Sequence, residues 1–130
     1  LVFGDIKQKK GDSGDDFIIQ YAASKFECIE SNKESPVSFL INDTELLNDY
    51  YSRASEQNLR VLSIFHSHPA GASPSGVDRR NMEYLDEFNP YANFRPYKNL
   101  IWTIMDASNY TLNGFIYFHG ELLKINVKVE

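Results

Sequence analysis

Two of the chain's three histidines stand two residues apart, in Phe65-His66-Ser67-His68-Pro69, and a short loop leads on to Pro74-Ser75-Gly76-Val77-Asp78. On a β-strand, residues i and i+2 share a face, so His66 and His68 can turn both imidazoles towards one point. Ser75 and Asp78 are i and i+3 and share one face of a first helical turn. Together the four side chains offer two neutral nitrogen donors, one carboxylate and one hydroxyl. Two histidines and a carboxylate, with a fourth position left to water, make a catalytic zinc site. The same donors could hold Fe(II), but nothing in the sequence points to an oxygenase. Half of the pattern has a plainer reading: Ser-x-x-Asp ahead of an apolar stripe is an ordinary helix capping box. The joint pattern is stronger than either piece, because the pieces fall at adjacent ends of two elements.

Those elements are legible around the motif. Residues 59–65 (LRVLSIF) are apolar and rich in branched side chains, a strand, and Pro69 stops it. Residues 75–88 read as a helix with Val77, Met82, Leu85 and Phe88 inward. An earlier helix spans 44–57, from a capping box of Asn42 and Glu45 to a left-handed stop at Asn58. Residues 1–6 and 17–24 read as strands joined by a polar turn containing Gly11 and Gly14, and a further strand is expected at 26–30. Residues 31–38 read as a loop, 89–98 as an irregular loop, 99–105 as a buried strand and 106–109 as a turn. Residues 110–118 and 121–129 form a hairpin about His119-Gly120. In its second arm Leu123, Ile125, Val127 and Val129 alternate with polar residues, a strand with one wet face. The expected fold class is mixed α/β (α+β): one largely antiparallel sheet of about six strands with two helices.

Composition narrows the function. A chain of 130 residues with nine Phe, eight Tyr and one Trp is a single folded domain, not a disordered one. A net charge of −5, with basic clusters only at residues 7–10 and 79–80, disfavours nucleic acid as a partner. No apolar run approaches the ~20 residues of a membrane span, so no membrane role is expected. The single cysteine, Cys28, excludes a disulfide scaffold or a four-cysteine zinc site and suits a reducing compartment, so a cytoplasmic location is expected. Cys28 itself reads as a small buried strand residue. His119 reads as a turn residue, and Asp15-Asp16 and Asp86-Glu87 as solvated charge. The chain begins without Met and directly in an apolar run, and reads as a fragment.

With His-Ser-His-Pro, a loop and Pro-Ser-x-x-Asp in place, the chain resembles the JAMM/MPN metalloproteases. The resemblance extends to Asn32-Lys33-Glu34-Ser35-Pro36, then Phe39-Leu40-Ile41, the helix at 44 and the strand at 59–65, and Leu1-Val2-Phe3-Gly4 resembles the family's first strand. It covers nearly the whole chain as a single domain at residues 1–130, most securely residues 1–88. It implies a cytidine-deaminase-like MPN architecture with one Zn²⁺ on His66, His68 and Asp78, and an oxyanion-steadying role for Ser75. The family's general base is a Glu on or before the first strand, a few residues ahead of Leu1. The N-terminal helix and the strand start carrying that Glu are thus expected to lie outside the chain, and the role is not moved onto Glu27, Glu30 or Glu34. Six residues separate His68 from Ser75, one fewer than is usual in the family, and Gly71 and Ala72 read as undemanding there.

The implied activity is hydrolysis of an isopeptide or peptide bond after the C-terminal tail of a ubiquitin-like protein. Such a tail can add as a strand to a sheet edge. Residues 31–39 are the candidate edge, and the loop at 89–98, with Tyr91, Phe94 and Tyr97, is a candidate second wall; the competing reading of these aromatics is packing over the helix. Two other classes stay open. One is an MPN-type binding scaffold without activity. The other is a phosphoesterase opening with His-x-His, disfavoured because only one histidine follows Asp78. Oligomeric state is not readable from the sequence.

Overall fold

The computed structural model describes residues 1–10, 17–28, 43–88, 95 and 97–129. They form strands β1 (Val2–Lys10), β2 (Phe17–Phe26), β3 (Arg60–His68), β4 (Ile101–Asp106), β5 (Leu112–Phe118) and β6 (Glu121–Ile125), with helices α1 (Thr44–Glu56) and α2 (Gly76–Glu87). The sheet order is β2-β1-β3-β4-β5-β6. Every neighbouring pair is antiparallel except β3 and β4, which are parallel with α2 in their connection. The expected α+β class, six strands and two helices are all present. The readings at 29–42 and most of 89–96, including residues 31–39, Tyr91 and Phe94, lie outside the described residues, as does the turn at 11–16.

Local chemistry sets each boundary. In α1 the N-cap is Asp43, whose side chain accepts from the Leu46 amide at 3.0 Å, rather than the expected Asn42. Either residue type caps well; an offset of one residue decides which amide is in reach. Asn58 ends the helix at φ 56°, the left-handed stop expected of it. Strand β1 runs past residue 6 because it pairs with β2 as far as Lys10↔Phe17. Among the described residues β1 pairs with β3 only at Val2, Phe3 and Gly4, and Asp5–Lys10 pair with β2 alone. A register shift falls between Phe3 and Gly4, and a Cβ on Gly4 would lie 2.0 Å from the Ala22 carbonyl oxygen. Only glycine fits that approach.

The main core lies between the sheet and both helices. Leu47 and Ala54 of α1, and Met82 and Leu85 of α2, pack with Phe3, Ile64, Trp102, Tyr97 and Leu100. Leu47 and Leu85 have no exposed surface, worth roughly 1.5–3 kcal/mol each. Tyr97 is buried, donates its hydroxyl to the Leu47 carbonyl and packs against Phe88. It is a core residue, as the packing reading held, and burial raises its pKa.

Four side-chain expectations need correction. Val77 is half exposed, because the first turn of α2 turns Asp78 inward instead. In β6, Leu122 packs on the core while Leu123 is exposed. The register pairs Leu122 with Tyr117, a core-side residue, and Leu123 with Ile116; alternation fixes two faces but not which one is covered. Cys28 is exposed and follows the end of β2. Asp86 is not merely solvated: it binds the Arg95 guanidinium at 3.0 Å and the Asn99 amide at 3.1 Å, tying the end of α2 to the approach to β4. His119 is a turn residue at φ 50°.

Candidate metal centre

His66 and His68 close β3, beside Ile104 and Asp106 of the parallel strand β4. Ser75 and Asp78 open α2. The intervening loop turns the chain from the strand end to the helix start, so both pairs meet at the carboxyl end of the parallel strands, where α/β sheets bind their ligands. Among the described residues, His66, His68 and Asp78 form the one group of His, Cys, Asp or Glu whose ligand atoms lie within 4.8 Å of one another. His66 Nε2 is 3.1 Å from His68 Nε2 and 3.2 Å from Asp78 Oδ1, and His68 Nε2 is 3.1 Å from Asp78 Oδ2.

These distances allow a test of metal fit. Bonds of 2.0–2.1 Å in tetrahedral geometry separate neighbouring ligand atoms by about 3.3 Å. The three separations are within about 0.2 Å of that edge. The chemistry of the set agrees. Two neutral imidazoles that each donate from Nε2 to Asp78 would bring two N–H groups face to face at 3.1 Å. A cation between three lone pairs removes that conflict. Turning Nε2 inwards leaves Nδ1 to carry the ring proton. His66 Nδ1 is buried without a partner, and the ring stands edge-on to Trp102 at 6.4 Å between centroids. The residues present fit a zinc-like ion.

The electrostatics favour ligating forms at neutral pH. Burial pushes the His66 pKa down, outweighing the pull of Asp78 upwards, so the imidazole is neutral. For Asp78, burial acts to raise the pKa, but the Ser75 amide and His66 outweigh it and hold the carboxyl below its ordinary value. Asp78 also serves the helix. Its Oδ2 accepts from the Ser75 amide at 2.8 Å while Ser75 Oγ accepts from the Asp78 amide at 3.0 Å. The capping box and the ligand cluster are therefore the same residues at once, not rival readings. Ser75 is exposed, and its hydroxyl proton is not used by the cap.

Glu27 stands apart, 3.7 Å from Arg53 and outside the cluster; Glu30 and Glu34 lie outside the described residues. Sequence reasoning missed how the loop between the ligands is held. Asp106 Oδ2 accepts the Gly71 amide at 2.8 Å, and Asn113 donates to the Ala72 carbonyl at 3.1 Å. Ala72 is buried against Ile104 and Phe115, and Gly71 sits at φ 85°. Neither residue is undemanding. The apolar strand 101–106 ending in Asp-Ala-Ser signals a turn, but its reach to Gly71 is a tertiary fact.

An α+β domain with His-x-His and Ser-x-x-Asp gathered at one end of a mixed sheet has the layout of a metal-dependent hydrolase or of a scaffold derived from one. The chain belongs to the prokaryotic JAB family: residues 10–112 match the profile described as prokaryotic homologs of the JAB domain. That family includes metalloproteases. No curated protein and no solved structure matches the chain. No helix among the described residues is long and apolar enough to cross a membrane.

Proposed function

We propose that this domain is a zinc metalloprotease that hydrolyses an isopeptide or peptide bond after the C-terminal tail of a ubiquitin-like protein. The observation that carries the hydrolase part is the convergence of His66, His68 and Asp78 within 4.8 Å. The substrate class rests on the resemblance to JAMM/MPN proteases. A zinc ion on those three residues would supply a bound water of pKa near neutrality and polarise the scissile carbonyl.

The chain's own groups have defined tasks. His66, kept neutral by burial, would offer the Nε2 lone pair to the ion. Asp78 stays ionised and is fixed by the Ser75 amide. Ser75 already accepts a hydrogen bond from Asp78, so its hydroxyl proton is free to be donated to the developing oxyanion, worth about 2.7–4 kcal/mol for one such donor. No covalent acyl-enzyme is required. A general base must still take a proton from the attacking water. β1 is antiparallel to β3 with Val2 opposite Ser63. A carboxylate carried on a segment preceding Leu1 in that register would therefore come alongside His66. A cytoplasmic location fits this reading.

The test is zinc content together with turnover of a ubiquitin-like fusion by the chain extended at its N-terminus. About one zinc per chain and cleavage after the ubiquitin-like tail are expected. A folded protein free of zinc after purification without chelator would favour the alternative, an inactive MPN-type scaffold. Zinc-dependent cleavage of unrelated peptides alone would reject the substrate class but keep the protease.

A further inference from the structure

We infer that Asp106 is a positioning residue for the metal centre: its carboxylate clamps the loop between His68 and Ser75 and so sets the spacing of the ligands. This rests on the metal reading proposed above. Residues 69–74 must carry the chain from a strand end to a helix start, and the His-His-Asp spacing depends on the path they take. Asp106 lies opposite His68 in the parallel register. The Ala107 amide donates to the His68 carbonyl at 2.9 Å, so the turn that carries Asp106 is fastened to the strand that carries the histidines.

The two carboxylate oxygens divide the work. Oδ1 accepts from both the Ser108 amide and the Ser108 hydroxyl, which aligns the side chain. Oδ2 is left for the Gly71 amide at 2.8 Å. Gly71 at φ 85° is a conformation that few residues adopt, and the clamp holds it there. The next residue is seated by the Asn113 amide and by the apolar contact of Ala72 with Ile104 and Phe115. The Asp106 carboxylate bonds to Gly71 and Ser108 and to none of the three ligand side chains, so its effect runs through the loop.

The experiment compares zinc affinity, by competition with a chromophoric chelator, and the visible spectrum of the Co²⁺ form in four versions of the whole chain: wild type, Asp106→Ala, Asp106→Asn and Asn109→Ala. Asn109 accepts from the Thr111 amide in the same turn without reaching the loop. Circular dichroism selects the folded variants. Asp106→Ala should bind zinc about 10–100-fold more weakly, the usual cost of removing support from metal ligands, with an altered Co²⁺ spectrum. Asp106→Asn keeps one acceptor oxygen and should lose about 10-fold, at the low end of that range. Asn109→Ala should match wild type. Wild-type affinity and spectrum in either folded Asp106 variant would overturn the clamp, as would an equal loss in Asn109→Ala. A wild-type chain that binds no zinc would overturn the metal reading itself, a separate failure.

Discussion

Replacing Asp78 by Asn separates the two tasks of that side chain by magnitude. The amide keeps an oxygen to accept from the Ser75 amide, so the hydrogen bond at 2.8 Å can persist. What the helix loses is a negative charge in its first turn, worth about 0.3–1 kcal/mol against the helix dipole. If that were the whole role, the variant would be slightly less stable and would bind metal as before. As a ligand, Asp78 supplies the only anion of the three and stands 3.2 Å and 3.1 Å from the two Nε2 atoms. Removing support behind a ligand already weakens metal binding about 10–100-fold, so loss of the ligand charge should exceed about 100-fold. That is about 2.7 kcal/mol at 1.36 kcal/mol per decade, well above the helix-dipole cost. The assay pairs chelator-competition titration of Zn²⁺ with thermal unfolding of the apo protein. The expected result is a large loss of affinity with a small change in apo stability. Zinc bound within about threefold of wild type by a folded Asp78→Asn protein would refute the assignment.

Other expectations follow from single contacts. Ser75→Ala removes the acceptor for the Asp78 amide and should cost the apo protein about 1 kcal/mol; in the N-terminally extended enzyme, turnover should fall about 10²–10³-fold with zinc content unchanged. Gly4→Ala places a Cβ 2.0 Å from the Ala22 carbonyl oxygen, so chemical denaturation should show a loss of about 1–3 kcal/mol or more as β1 and β2 separate. The apo protein should lose stability as pH falls below the ordinary His66 value of 6.5, because burial lowers the folded-state pKa and the unfolded chain takes up the proton first. Asp78 acts in the same sense at lower pH: its contribution is present above 3.8 and is lost as pH falls through its depressed value. Melting temperature measured from pH 7.5 to 5 should fall in wild type below about 6.5 and flatten in that lower part of the range in His66→Gln; identical slopes would contradict the assignment of the effect to His66.

The grouping of His66, His68 and Asp78 was legible because all three lie within one short stretch. His66 and His68 announce themselves by the period of a strand, and Ser75 and Asp78 by the period of a helix turn. The strands and helices around them followed from apolar patterning, Asn58 from its tolerance of positive φ and His119 from its place between the two arms of a hairpin. What stayed hidden depends on distant partners. Leu122 rather than Leu123 faces the core because β5 sets the register of β6. Asp86 holds Arg95, and Asp106 holds Gly71, across separations that no local period encodes. Val77 shows the limit of a helical stripe, because the first turn of α2 is oriented by the site rather than by the core.

The ligand atoms come from one stretch, positions 66–78, yet the clamp on that stretch comes from position 106. Order of assembly follows from this separation. The strand end, loop and first helix turn close only a short segment, at small loop-closure entropy, whereas Asp106 arrives only once the parallel pairing of β3 with β4 has formed across the whole of α2. An ion held by the two histidines and Asp78 could therefore engage a chain whose sheet is incomplete. Part of its affinity would be spent on non-native states, so metal would raise the unfolding free energy by less than its dissociation constant implies. It would also draw the β3-loop-α2 segment into the folding nucleus, so that metal speeds refolding and not only slows unfolding.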